Sequence, residues 1–73
     1  HGFNLKEIVI NEDNPNYCSV DGVLYNKEKT KLIKCPRKKK SINILNTTQV
    51  IGKYAFSGCS ELSNIIIPNN VKD

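Results

Sequence analysis

The sequence predicts a mainly-β fold, a short solenoid in which each coil contributes one strand to a parallel sheet. First, the chain aligns with itself at an offset of 23 residues, which places Ile42 on Ile65 and Ile44 on Ile67. Second, these isoleucines recur at the two-residue period of a strand with one buried face. Third, an Asp-Gly pair at 21–22 separates two β-prone segments, which is typical of a tight hairpin.

The repeat strands are expected near 5–10, 41–45 and 62–67, the first with Leu5 inward. The first and third share an L-x-x-I-x-I pattern, and the second has the two isoleucines at the same spacing. This pattern, with a period in the twenties, indicates a leucine-rich solenoid. The third strand should end at Pro68, which has no N–H group for a ladder. No single coil can bury its own apolar face, so each needs a neighbouring coil.

Brief turns and loops should join these strands. Residues 46–53 are expected to form a loop with Ile51 inward. Ala55, Phe56 and Cys59 have helical spacing over a short length, which predicts a helical or 3₁₀ turn at 54–59. On this turn the Cys59 thiol should act as a small apolar group.

A three-stranded β-meander is expected at 17–35, inserted in one coil. A two-residue type I′ turn at 21–22 pairs Val20 with Val23. The two outer strands carry Cys18 and Cys35, and two ladder spacings of about 4.8 Å separate them. That separation is too great for a disulfide between these two cysteines.

The sequence of the last coil closely resembles the BspA-like (Treponema-type) leucine-rich repeat. The residues that carry the resemblance are Val50-Ile51-Gly52, Ala55-Phe56-Ser57-Gly58-Cys59, Leu62, Ile65, Ile67-Pro68 and Val71. The meander resembles segments that interrupt such arrays, from Asp21 to Pro36. The resemblance implies that residues 1–73 form a single leucine-rich-repeat segment. Solenoids need about three or more repeats and capped ends, so we expect the segment to belong to a longer array or to self-associate through uncapped solenoid ends.

One residue departs from this family's pattern. Lys39 stands 23 residues before Leu62, where the first inward leucine of the coil is expected. Either its side chain runs along the edge with the ammonium group in water, or the strand begins later.

The resemblance implies a non-catalytic recognition or adhesion segment of a cell-surface or secreted protein. Its expected partners are host matrix proteins or cells. The candidate ligand-binding residues point away from the core on neighbouring strands, about 4.8 Å apart across one sheet. They are Glu7, Val9, Ser41, Asn43, Asn64 and Ile66.

A basic run offers an alternative, binding of a polyanion such as a heparin-like glycan. The run comprises Lys31, Lys34, Arg37, Lys38, Lys39 and Lys40, in a chain of net charge +4. No aromatic residues interleave with 37–40, and we do not expect nucleic-acid binding. The run could equally be a solvated connector that keeps a sheet edge soluble, and a purely structural spacer is the third hypothesis.

Other chemistry finds little support. The single histidine is residue 1, and there is no nucleophile–base set or phosphate loop, so we expect neither catalytic residues nor a cofactor. The three cysteines lack metal-ligand spacing, which argues against a metal. No apolar run could span a bilayer. Asn46-Thr47-Thr48 is an N-glycosylation sequon.

Overall fold

The computed structural model describes residues 2–3, for their backbone only, and residues 6–72. This part of the chain contains strands and turns and no helix, which confirms the mainly-β class. The strand expected from residue 5 begins at Ile8, and Leu5 lies outside the described residues. The strands are β1 (Gly2–Phe3), β2 (Ile8–Val9), β3 (Tyr17–Val20), β4 (Val23–Asn26), β5 (Lys31–Lys34), β6 (Ser41–Asn43), β7 (Val50–Ile51) and β8 (Asn64–Ile66).

The meander forms most of a four-stranded sheet of order β3-β4-β5-β7. Val20 lies opposite Val23 in the antiparallel β3–β4 hairpin, as the Asp-Gly turn predicts. Asp21 and Gly22 both have positive φ, 54° and 77°, as a type I′ turn requires. The longer turn before β5 is closed by Asn26, whose Oδ1 accepts the N–H of Thr30 at 2.8 Å.

The segment expected as a loop at 46–53 contains a strand, which the sequence analysis missed. β7 pairs with β5 in parallel, with Val50 beside Lys31 and Ile51 beside Leu32. The Gly52 N–H continues the ladder and donates to the Leu32 carbonyl at 2.7 Å. Without β7, this edge of the meander would carry unpaired backbone groups, so pairing overrides the loop tendency of the segment.

The β6–β8 pair stacks one coil on the next. The strands are parallel, and Ile42 lies beside Ile65 at the same 23-residue offset that the sequence shows. The offset continues beyond the strands, because the Lys72 N–H donates to the Gln49 carbonyl at 2.8 Å. The two segments are therefore stacked in parallel at the repeat offset.

The main core joins the meander to this stack. Tyr25 and Leu32 are fully buried, and the Tyr25 hydroxyl accepts the N–H of Leu45 at 3.3 Å. This bond gives a partner to a backbone group just after β6, and burial raises the pKa of the Tyr25 hydroxyl. The core cluster consists of Val23, Tyr25, Leu32, Cys35, Ile42, Ile44 and Ala55.

The expectation that Ile65 and Ile67 are buried was wrong. They are 46% and 55% exposed, whereas Ile42 and Ile44, at the same positions one coil earlier, are 3% and 5% exposed. Ile42 and Ile44 pack with residues of the meander and of the following coil. Among the described residues, no further coil covers Ile65 and Ile67, so their period alone does not bury them.

The helical or 3₁₀ turn expected at 54–59 is also not formed. The N–H groups of Ala55, Ser57 and Cys59 each bond to the carbonyl three residues earlier. These bonds fall on every second residue, so the continuous ladder of a helix is missing. Gly58, with φ of 79°, then turns the chain to the left-handed conformation.

Thr48 generates a prediction about stability. It is fully buried, and its Oγ1 has no hydrogen-bond partner among the described residues. The residue 23 positions later is Val71. We expect Thr48→Val to raise the free energy of unfolding by about 1–2 kcal/mol, because it removes an unpaired buried hydroxyl. Urea denaturation followed by circular dichroism measures the change.

Thr47→Val is the matched control. Thr47 is exposed, and its Oγ1 donates to the Lys29 carbonyl at 2.6 Å. Loss of this bond should lower the free energy of unfolding by about 0.5–1 kcal/mol. A Thr48→Val variant less stable than the parent would contradict the assignment of an unpaired hydroxyl.

Candidate functional site

Two neighbouring strands present a small exposed surface, which we name the β6–β8 face. It consists of Ser41 and Asn43 on β6 and Asn64 and Ile66 on β8. The register places Ser41 beside Asn64 and Asn43 beside Ile66. All four residues are exposed, and Ile66 is 64% exposed. The face therefore offers three short hydrogen-bonding side chains around one β-branched apolar group.

Glu7 and Val9 do not belong to this face, and the expectation of one continuous six-residue surface was wrong. β2 pairs with β1 in a separate sheet, with Val9 beside Gly2. The hairpin tip packs against β2 instead, because the Ile8 N–H donates to the Gly22 carbonyl at 2.8 Å. A Cβ on Gly22 would lie 2.8 Å from the Glu7 Cβ, so only glycine permits this approach.

Lys39 fixes the other side of the same hairpin tip. Its Nζ donates to the Asp21 carbonyl at 2.8 Å and lies 3.5 Å from the Asp21 carboxylate. The Lys39 side chain is only 15% exposed. Of the two alternatives for this residue, the later strand start is the one observed, at Ser41. The Lys39 ammonium group binds Asp21 and does not end in water.

The basic run is not a single free cationic patch. The Lys34 ammonium group donates to the Ser57 carbonyl at 3.1 Å, and Lys39 is held at Asp21. The exposed members are Lys31, Arg37, Lys38 and Lys40. Arg37 and Lys38 border a depression of about 180 Å³ together with Glu61, whose carboxylate opposes an anion there.

The sequon at 46–48 is exposed at its first residue and buried at its last. Asn46 is exposed, and its carbonyl accepts the Nδ2 of Asn70 at 2.6 Å. Thr48, the third residue of the sequon, is buried. Glycosylation of Asn46 stays a prediction.

The fold brings Cys35 and Cys59 together, a pair that the sequence analysis did not connect. The Cys59 Sγ lies 3.3 Å from the Cys35 carbonyl oxygen. Burial, and then the neighbouring Cys59, raise the pKa of the Cys35 thiol to about 12. The two cysteines are 24 residues apart, close to the repeat length of 23, and this spacing could have predicted that they lie close together.

Within the described ranges, no three His, Cys, Asp or Glu side chains are grouped so that they could hold a metal ion. The same residues form no helix of the length and apolarity that a bilayer crossing needs.

Parallel stacking of similar segments at a fixed offset is typical of a repeat protein. The profile of the BspA type Leucine rich repeat region (6 copies) matches residues 30–73, and the chain belongs to this family. No curated protein matches the chain.

Two solved structures are similar. A leucine-rich repeat protein from Eubacterium ventriosum is 36% identical with a TM-score of 0.83, over 93% of this chain and 19% of that one. The pneumococcal vaccine antigen PcpA is 27% identical with a TM-score of 0.65, over 96% of this chain and 24% of that one. The chain thus spans about a fifth to a quarter of the length of these relatives.

The contact of Lys39 with the hairpin tip gives a second prediction. We expect Lys39→Met to lower the free energy of unfolding by about 1 kcal/mol, because the covered stem is kept while the charge-assisted hydrogen bond is lost. The Gly22 amide resonance should shift as the tip moves. Urea denaturation and ¹H–¹⁵N NMR measure the two effects.

Lys40→Met is the matched control, since Lys40 is exposed and adjacent. Its effect should stay within about 0.5 kcal/mol. Equal effects of the two substitutions would show that the Asp21 contact contributes nothing specific.

Proposed function

We propose that this chain is a non-catalytic recognition segment of a secreted or cell-surface protein. It binds a host matrix or cell-surface protein through the β6–β8 face, and residues 1–73 act as one segment of a longer repeat array. The exposed face with Ile66 among short polar side chains is the observation that carries the proposal. Family membership and the similarity to a vaccine antigen support it.

The chemistry of the face suits a protein surface. Ile66 can bury its apolar surface in a partner, while Asn43 and Asn64 can each donate and accept hydrogen bonds. None of the four residues is charged. A partner with an exposed apolar group and free backbone groups meets this pattern better than a polyanion does.

The two alternatives, polyanion binding and a structural spacer, have less support than protein binding. Lys34 and Lys39 direct their ammonium groups to backbone carbonyls, which leaves the basic run divided for polyanion binding. A purely structural spacer would need no exposed apolar group on its sheet, and it predicts that the chain binds nothing. The chain could also self-associate through the exposed Ile65 and Ile67, and this would be compatible with either of the two alternatives.

The binding prediction uses two adjacent isoleucines. The chain should bind at least one of immobilised collagen, laminin and fibronectin, or epithelial cells, by biolayer interferometry and cell adhesion. Ile66→Asp should weaken that binding about tenfold or more, as expected for an apolar anchor at the centre of an interface.

Ile67→Asp is the matched control, because Ile67 is also exposed but points to the opposite face of the strand. It should change the affinity less than about twofold. Equal losses in both variants would exclude the β6–β8 face. Absence of binding to every probe would favour the spacer.

Heparin chromatography separates the polyanion alternative. Arg37→Ala with Lys38→Ala removes two exposed charges of the run, and Lys53→Ala with Lys72→Ala removes two exposed charges elsewhere. We expect both double variants to elute from heparin at the same salt concentration, since only net charge then matters. Selective loss of retention in the Arg37/Lys38 variant would establish the polyanion site.

A further inference from the structure

Two thiols meet where the meander joins the last turn. Cys35 directly follows β5 and is fully buried, and Cys59 closes the turn region at 52–59 and is partly buried. The Cys59 sulfur lies 3.3 Å from the Cys35 carbonyl oxygen and 3.5 Å from that of Pro36. Both cysteines pack in the same core cluster. The two side chains therefore share one apolar site.

The backbone holds both cysteines in this arrangement. The Cys35 N–H donates to the Ala55 carbonyl at 2.8 Å, and the Cys59 N–H donates to the Phe56 carbonyl at 3.1 Å. Lys34, next to Cys35, donates to the Ser57 carbonyl at 3.1 Å. These contacts tie the end of β5 to the turn on both sides of the thiols. The backbone therefore keeps the two residues next to each other.

We infer that Cys35 and Cys59 are a disulfide-forming pair, whose oxidation links the inserted meander to the following coil. The carbonyl contact of the Cys59 sulfur is compatible with the Cα separation of about 4.4–6.8 Å found in disulfides. Cys18 does not take part, since its thiol donates to the Asn26 carbonyl at 3.3 Å on the far side of the meander.

The reaction needs a disulfide as oxidant, such as oxidised glutathione. The partly exposed Cys59 loses its proton and attacks one glutathione sulfur, which gives a mixed disulfide and releases one glutathione thiol. Cys35 then loses its proton and attacks the Cys59 sulfur, which closes the Cys35–Cys59 bond and releases the second thiol. The two cysteines are oxidised by two electrons, and one glutathione disulfide is reduced to two thiols.

The order of these steps follows from the environment of each thiol. Cys35 is buried, and its pKa of about 12 keeps it protonated at neutral pH. A small oxidant therefore meets Cys59 first, and only the mixed disulfide brings a reactive sulfur to Cys35.

The bond would constrain the unfolded chain. It closes a loop of 24 residues that contains the whole β6 coil. Such a bond persists in an oxidising, extracellular compartment. The inference does not depend on which face of the chain binds a partner.

The test equilibrates the full 73-residue chain with reduced and oxidised glutathione at pH 8. Intact mass should show the loss of two hydrogen atoms from the monomer. Tryptic digestion without reduction should give the tripeptide 35–37 linked to the peptide 54–72. A linked peptide that contains Cys18, or a monomer with three free thiols after equilibration, would overturn the inference.

Single variants provide the controls. Cys18→Ser should form the bond, and its oxidised form should have a higher urea midpoint than its reduced form. Cys59→Ser should keep the parent mass, apart from the substitution, under the same buffer. Equal urea midpoints of oxidised and reduced Cys18→Ser would show that the link does not join a native contact. Because the peptide map comes from the unsubstituted chain, poor folding of a variant leaves the result decisive.

Discussion

The structure depends on covering the apolar side of each coil from both directions. Ile42 and Ile44 are buried because residues of the meander lie on one side and the following coil lies on the other. Ile65 and Ile67 have the same spacing and the same residue type, yet they are exposed. Hydrophobic period sets which side of a strand faces inward, but the free energy is gained only when a neighbour removes that surface from water.

The meander can replace an ordinary coil because it supplies the same two things, apolar volume and backbone partners. Tyr25 and Leu32 fill the core next to Ile42. The Tyr25 hydroxyl and the β5 carbonyls pair backbone N–H groups of the following segment. At the hairpin tip, Lys39 takes the position of the expected leucine. Its side chain is only 15% exposed, and its ammonium group binds Asp21.

The local features of the fold could be predicted from the sequence, and the non-local ones only in part. The Asp-Gly turn and the 23-residue register follow from residue types and spacing, so both were predictable. β7 was missed because Val50 and Ile51 form a strand only when the edge of β5 is available. The separation of Glu7 and Val9 from the β6–β8 face was missed because it, too, depends on a non-local contact, the packing of the hairpin tip against β2.

That separation limits what the candidate surface can do. In an uninterrupted array, outward residues of every coil would form one long stripe for an extended partner. Here the hairpin tip, held by Gly22 against β2 and by Lys39 before β6, separates the first coil from the next two. A partner bound as proposed to the β6–β8 face would therefore contact the tip or stay on two strands. In the proposed function, Ile66 should then supply much of the binding free energy, because it is the single apolar group among the four residues of the β6–β8 face.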